Sequence, residues 1–311
     1  MWATGVGMSE DKLTVHIVFT GENSLLENYA GNLQKELEML GCQINLGRTE
    51  DSQADVNHYM CVDDLELRYK GTYKTTDTTV RTVLTAYGHS GQAGGVLKDH
   101  EHRYMACICT SIDEIGRLIS EEIPRNKIYY IAPVVLDRGI KPKKINLGIT
   151  NRCYHHFDFR KRDDLILQVC QQLEPDFFRF KIMGSGWDAI VEQLKGLKFE
   201  VEYYASFNRE VYKRLIPSLD YWLYYGFDEG AMGYLDALAA GVKTIATPQG
   251  FHLDTKCGLT HPCKTVQDFI GVLRNIQNEK KVVVDSVMEW GWKDCAKRHM
   301  EIWKYLVRTK R

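Results

Sequence analysis

Residues 220–248 read DYWLYYGFDEGAMGYLDALAAGVKTIATP. DYWLYYG is an apolar, aromatic run bounded by an acid and a glycine, the composition of a buried strand. MGYLDALAAG is small and apolar, carries one acid, and stops at Gly241, as a helix does. VKTIATP is a second strand. Two strands joined by a helix form a right-handed crossover and lie parallel in one sheet. That unit fixes an α/β reading, and the chain on either side repeats it.

Upstream, KINLGIT is a strand and Asp163–Leu173 a helix, with Leu165, Ile166, Val169 and Leu173 on one side. FRFKIMG and FEVEYY are strands, and DAIVEQLKGL and REVYKRLIPS helices. Downstream come a helix over Thr265–Gln277 and a last one over Met288–Val307, with Trp290, Trp292, Trp303 and Tyr305. The first half alternates in the same way. A strand over Leu13–Phe19 is followed by a helix bearing Leu25, Leu26, Tyr29, Leu33, Leu37 and Leu40, stopped by Gly41. Strands follow at QINLG, 54–62, 81–88, MACICTS and KIYYIAPVV, with the helix IDEIGRLISEEI ended by Pro124. The basic stretch Lys141-Pro142-Lys143-Lys144 separates the halves.

The expected architecture is α/β: two Rossmann-like doubly wound domains facing a central cleft. The length of 311 residues agrees with two domains. Hydrophobic residues are 44% and charged residues 26%, which excludes disordered and fibrous classes. The net charge of -1 excludes a dedicated nucleic-acid binder. No apolar run approaches the roughly 18 residues of a spanning helix. The nine cysteines are odd in number and lack a C-x-x-C spacing. Cys107 and Cys109 alternate along an apolar strand. Both facts indicate reduced, buried thiols in a cytoplasmic protein. MWATGVGMSE has no basic-then-apolar order and reads as a loose leader rather than a signal.

Two segments are suited to chemistry. Gly184-Ser185-Gly186-Trp187-Asp188-Ala189 follows a strand and opens a helix, the context in which G-x-G-x-x-A brings backbone N–H groups to a diphosphate. Glu200 or Glu202, on the next strand, stands where such folds hold a ribose. The alternative is a plain tight turn. The second segment is Asp228-Glu229-Gly230 and the helix after it, with Asp236. Helix-start N–H groups hold phosphate and carboxylates accept sugar hydroxyls. Acids are also favoured in first turns without any ligand.

The second segment resembles the donor-site signature of retaining, GT-B fold glycosyltransferases of family four, the group 1 glycosyl transferases. Asp228 and Asp236 keep that family's spacing of two acids, with Asp where the family usually has Glu, and Glu229 is an alternative first acid. Asn151-Arg152 resembles the Gly-Arg that opens the family's second domain. Lys161 resembles its phosphate-binding Lys, with Arg160 or Arg162 as substitutes. MGSGW, the turn at 247–250 and the Trp-rich last helix also match in order.

The resemblance implies a retaining transfer of a sugar from a nucleotide-diphosphate sugar to a hydroxyl acceptor that is a glycan, lipid-linked or a protein. Residues 1–142 would bind the acceptor, 143–286 the donor, and 287–311 would cross back to the first domain. Arg152 and Lys161 would hold the diphosphate, Asp228 or Glu229 the transferred sugar, and Asp236 the ribose. Gly21, Gly184, Gly186, Gly230 and Gly250 would bring backbone near the donor, and His89 would orient sugar or acceptor. No bound cofactor or metal is required.

Two rivals stand beside this reading. One is an NAD-dependent oxidoreductase using the Gly184–Gly186 loop, the other a non-catalytic sugar-nucleotide binding module. His100 with His102, and His155, His156 with Asp158, lack a well-spaced third ligand and read as surface histidines. The basic tail at Lys304, Arg308, Lys310 and Arg311 reads as a solvated helix end, with contact to an anionic membrane surface as the alternative.

Overall fold

A computed structural model of the chain describes residues 12–19, 24–62, 64–65, 79–85, 93–136, 139–154, 162 and 165–310. The chain divides into two compact units. Unit 1 takes Met1–Arg138 with Val287–Arg311, and unit 2 takes Gly139–Ser286.

Unit 1 contains six strands: β1 (Thr14–Val18), β2 (Gln43–Gly47), β3 (Val56–Tyr59), β4 (Val80–Leu84), β5 (Ala106–Cys109) and β6 (Ile128–Tyr130). They form one sheet in the order β2-β1-β3-β4-β5-β6, and every pairing is parallel. The helices are α1 (Ser24–Met39), α2 (Ala93–Asp99), α3 (Ile112–Ser120) and, from the end of the chain, α9 (Trp292–Lys310). Strand alternation splits the core in two. Val15, Ile17, Val56, Ile108 and Leu84 face α1 and α9. Val18, Tyr59, Val83, Cys107 and Cys109 face α2 and α3. A parallel sheet covered on both faces accounts for strands that are apolar almost throughout.

Unit 2 repeats the plan. Its strands are β7 (Ile145–Ile149), β8 (Phe178–Met183), β9 (Glu200–Tyr204), β10 (Tyr221–Tyr224), β11 (Lys243–Ala246) and the short β12 (His261–Pro262). Their order is β12-β11-β10-β7-β8-β9, again all parallel. The helices are α4 (Leu165–Cys170), α5 (Asp188–Gly196), α6 (Arg209–Leu215), α7 (Met232–Ala239) and α8 (Val266–Asp285). One core packs α4, α5 and α8 on the sheet around Leu147, Phe180 and Leu223. The other packs α6 and α7 around Trp222, Tyr224 and Tyr234. Of the aromatics of DYWLYYG, Trp222 and Tyr224 are buried, and Tyr221 and Tyr225 are partly buried and pack against the core.

Two helix boundaries and one added helix stand out against the sequence reading. The helix expected to end at Gln277 runs on to Asp285. Gln277 is its last buried residue, and Val282 and Val283 are exposed. The apolar period stops there, but no Gly or Pro interrupts the backbone before Gly291. A capping box starts this helix: Thr265 Oγ1 accepts from the Asp268 N–H, and Asp268 accepts from the Thr265 N–H. The last helix begins at Trp292 instead of Met288, after Gly291. Helix α2 was not expected, because AGGVLKD has too few apolar positions to show a period. None of the nine cysteines forms a disulfide, and only Cys257 is exposed. Among the described residues no helix is long and apolar enough to cross a membrane.

Candidate functional site

In unit 2 the first strand, β7, lies between β8 and β10. The chain moves one way from β7 to β8 and β9, then returns to the other side for β10. The crevice beyond the carboxyl ends of β7 and β10 is thus the topological switch point, where open parallel sheets bind ligands. The loop after β7 carries Asn151 and Arg152. The loop after β10 carries Asp228, Glu229 and Gly230, and α7 follows. The two loops meet closely. A Cβ on Gly233, in the first turn of α7, would lie 2.2 Å from Thr150 Oγ1. Trp222 Nε1 donates to the same oxygen at 2.8 Å.

Arg152 is exposed, and its guanidinium lies 5.2 Å from the centre of the Tyr154 ring. No described carboxylate forms an ion pair with it. A cation that is stacked but unpaired remains available to an anion.

Asp228 is committed to the fold. Its Oδ2 accepts from the Tyr224 hydroxyl at 2.7 Å, and its Oδ1 accepts from the Gly230 N–H at 2.9 Å and from Gln249 Nε2 at 3.2 Å. Its own N–H donates to Gln249 Oε1 at 3.0 Å. Glu229 is exposed, and no described side chain pairs with it. Of the two candidates for the first acid, the carboxylate left open is Glu229. Asp236 is exposed on α7, and its Oδ2 accepts from the Tyr212 hydroxyl of α6 at 2.7 Å.

The glycines act mainly on protein backbone. A Cβ on Gly184 would meet Asn151 O at 2.1 Å, and one on Gly186 would meet Cys153 O at 2.6 Å. The loop after β7 fills that space. Cys153 N–H donates to Ser185 O at 2.9 Å and Trp187 Nε1 to Asn151 O at 2.7 Å. On the Cβ side, the space that Gly184 and Gly186 leave is thus taken by protein backbone. The acids that would serve a dinucleotide there are also taken. Glu200 opens β9 at its amino end and pairs with Arg179 at 2.6 Å, and Glu202 lies 3.6 Å from Lys181. Gly250 has the same kind of role, since its Cβ would meet Glu229 O at 2.1 Å. Gly230 packs beside Phe251 and His252.

His252, which the sequence reading did not single out, ties this region together. It is fully buried. Its Nε2 accepts from the Ala231 N–H at 3.1 Å, and its Nδ1 lies 3.1 Å from Thr247 O. A carbonyl only accepts, so Nδ1 carries the proton and the ring is neutral. Burial lowers its pKa, more than its backbone hydrogen bonds and Asp228 raise it. Nothing in TPQGFH marks that ring, because the donor to its Nε2, Ala231, lies 21 residues upstream in sequence.

Gly21, His89 and Lys161 lie outside the described residues, as do Arg160, His155, His156, Asp158 and Arg311. His102 Nε2 accepts from Arg103 Nε at 3.1 Å. Among the described residues no group of three or more His, Cys, Asp or Glu side chains could hold a metal ion.

No protein-family model matches the chain, and no curated protein matches it in sequence. Among solved structures it is similar to the apo form of the lipopolysaccharide outer core galactosyltransferase WaaB, at 13% identity and a TM-score of 0.36, over 92% of this chain and 97% of that one. It is similar to HepE of Anabaena in complex with UDP and glucose, at 9% identity and a TM-score of 0.36, over 94% and 100%. A third is WaaG, a glycosyltransferase involved in lipopolysaccharide biosynthesis, at 10% identity and a TM-score of 0.35, over 93% and 95%.

Proposed function

We propose that the chain is a retaining glycosyltransferase that moves a sugar from a nucleoside diphosphate sugar to a hydroxyl acceptor. The observation that carries this reading is the set of groups at the switch point of unit 2. The Arg152 guanidinium, which no described carboxylate pairs, and two exposed carboxylates, Glu229 and Asp236, flank the carboxyl ends of β7 and β10 and the start of α7. A cation and helix N–H groups suit a diphosphate, and carboxylates suit the hydroxyls of ribose and sugar.

As the glycosidic bond breaks, negative charge grows on the departing diphosphate. A preorganised guanidinium stabilises that charge more than it stabilises the bound donor, which lowers the barrier. Glu229 accepts from the transferred sugar and Asp236 from the ribose. Lys161 belongs to the same phosphate site by its resemblance. The leaving phosphate takes the acceptor proton on the same face, so the reading needs neither a dedicated base nor a metal. The acceptor is a glycan, lipid-linked or protein hydroxyl.

Arg152→Ala tests the reading. A panel of nucleotide sugars identifies the donor, by binding and slow hydrolysis. With that donor, Arg152→Ala is expected to weaken binding and cut transfer at least about tenfold. Its melting temperature should stay near that of the wild type, because the side chain is exposed. Transfer at the wild-type rate would place the phosphate elsewhere. A second reading, a sugar-nucleotide binding module without transfer, draws on the loop bonds that occupy Asp228. It requires binding with neither transfer nor hydrolysis in the same panel.

A further inference from the structure

Asp236 is exposed on α7, yet it does not stand alone. A chain of polar groups runs to it from the sheet. The indole N–H of Trp222 can only donate, and it donates to Thr150 Oγ1 at 2.8 Å. The Thr150 hydroxyl also lies near the Tyr212 phenol. Tyr212 in turn donates to Asp236 Oδ2 at 2.7 Å. Burial raises the Tyr212 pKa, and Asp236 raises it further, so the phenol stays a donor at neutral pH. An ionised carboxylate only accepts, so Tyr212 is the donor in the bond to Asp236. These groups join β10, the end of β7, α6 and α7, and they end on a carboxylate whose second oxygen bonds no described residue.

We infer that Tyr212 is a positioning residue: it holds one oxygen of Asp236 and presents the other to a ribose hydroxyl of a nucleoside diphosphate donor. This rests on the glycosyltransferase reading above. An exposed aspartate otherwise samples several rotamers, and fixing one of them on binding costs affinity. Tyr212 removes that cost in advance. The short Asp side chain makes the support matter more, because it brings the carboxylate less far from the helix than Glu would. Oδ1 accepts from the ligand while Oδ2 stays with the phenol.

A double-mutant cycle tests this. Uridine, guanosine, adenosine and cytidine diphosphates are titrated calorimetrically into the wild-type chain. The tightest binder is then titrated into Tyr212→Phe, Asp236→Ala and the double variant. Tyr212→Phe is expected to weaken binding about tenfold in the wild-type background and to change nothing in the Asp236→Ala background. Melting curves of all four proteins show whether they remain folded. Wild-type affinity in Tyr212→Phe overturns the inference. So does an equal loss in both backgrounds, because Tyr212 would then act through packing and not through Asp236. If the wild type binds none of the four diphosphates, the transferase reading fails and takes the inference with it. Binding by the wild type with a silent Tyr212→Phe sinks the inference alone.

Discussion

Gly250 shows how one residue holds the candidate site. Its φ is +42°, a region that side chains other than glycine adopt only with strain. A Cβ there would stand 2.1 Å from Glu229 O, so backbone would have to move. Phe251 N–H also donates to that carbonyl, at 3.1 Å. Gly250→Ala is therefore expected to destabilise unit 2 by about 1–3 kcal/mol. It should also displace Glu229 and weaken diphosphate binding. Thermal melting with a parallel binding titration checks both, and an unchanged midpoint would contradict the packing described. The same scale separates Asp228 from Glu229. Their neighbouring positions made them interchangeable as text, and only the three donors around Asp228 assign it to the loop.

At the scale of the element, α9 decides the stability of unit 1. Trp292, Cys295, Ala296, His299, Trp303 and Leu306 form its buried face. Trp303 Nε1 donates to Thr82 Oγ1 of β4 at 3.0 Å, and His58 Nδ1 lies 2.9 Å from the same oxygen. His299 packs edge-on against His58, with ring centres 5.4 Å apart, and its Nδ1 donates to Cys295 O. None of these neighbours is a carboxylate. Burial pushes the His299 pKa down to about 4. Burial first, and a charge on His299 second, hold His58 well below its usual range. In the unfolded chain both titrate near 6.5. Below that pH the unfolded chain binds protons that the folded unit refuses. Stability is therefore complete above about pH 6.5 and falls as pH drops toward about 4, where His299 protonates in place. His299 contributes on the order of 3 kcal/mol across that window. Urea midpoints measured from pH 7.5 to 4 should fall steadily, and His299→Gln should flatten the slope. An equal slope in the variant would show that other groups set the acid sensitivity.

At the scale of the whole molecule, the two units differ in how the chain builds them. Every residue of the two unit 2 cores lies between Ile145 and Ile276. Unit 1 needs α9, because Trp292 and Trp303 belong to one core with Leu33, Val56 and Ile108. Each is a large side chain whose loss from a core costs about 3–5 kcal/mol. Residues 139–286 expressed alone should unfold cooperatively and bind the nucleoside diphosphate, whereas residues 1–138 alone should not fold. Circular dichroism melts of both fragments check this. A cooperative melt of 1–138 would mean that the rest of that unit suffices.

The sequence alone determined the α/β class and most of the elements, since strand runs, helical periods and glycine stops are local signals that survive in any context. It also picked out the loop after β7, the Asp228–Gly230 loop and the helix bearing Asp236. It stopped short wherever a residue's partner is distant in the chain. Whether Gly184 faces ligand or backbone depends on Asn151, and the state of Asp228 depends on Gln249. Tyr212 reaches Asp236 across 24 positions, and His252 reaches Ala231 across 21. The tertiary structure decided those roles, because a hydrogen bond or a steric contact exists only once folding has brought both partners within about 3 Å of each other.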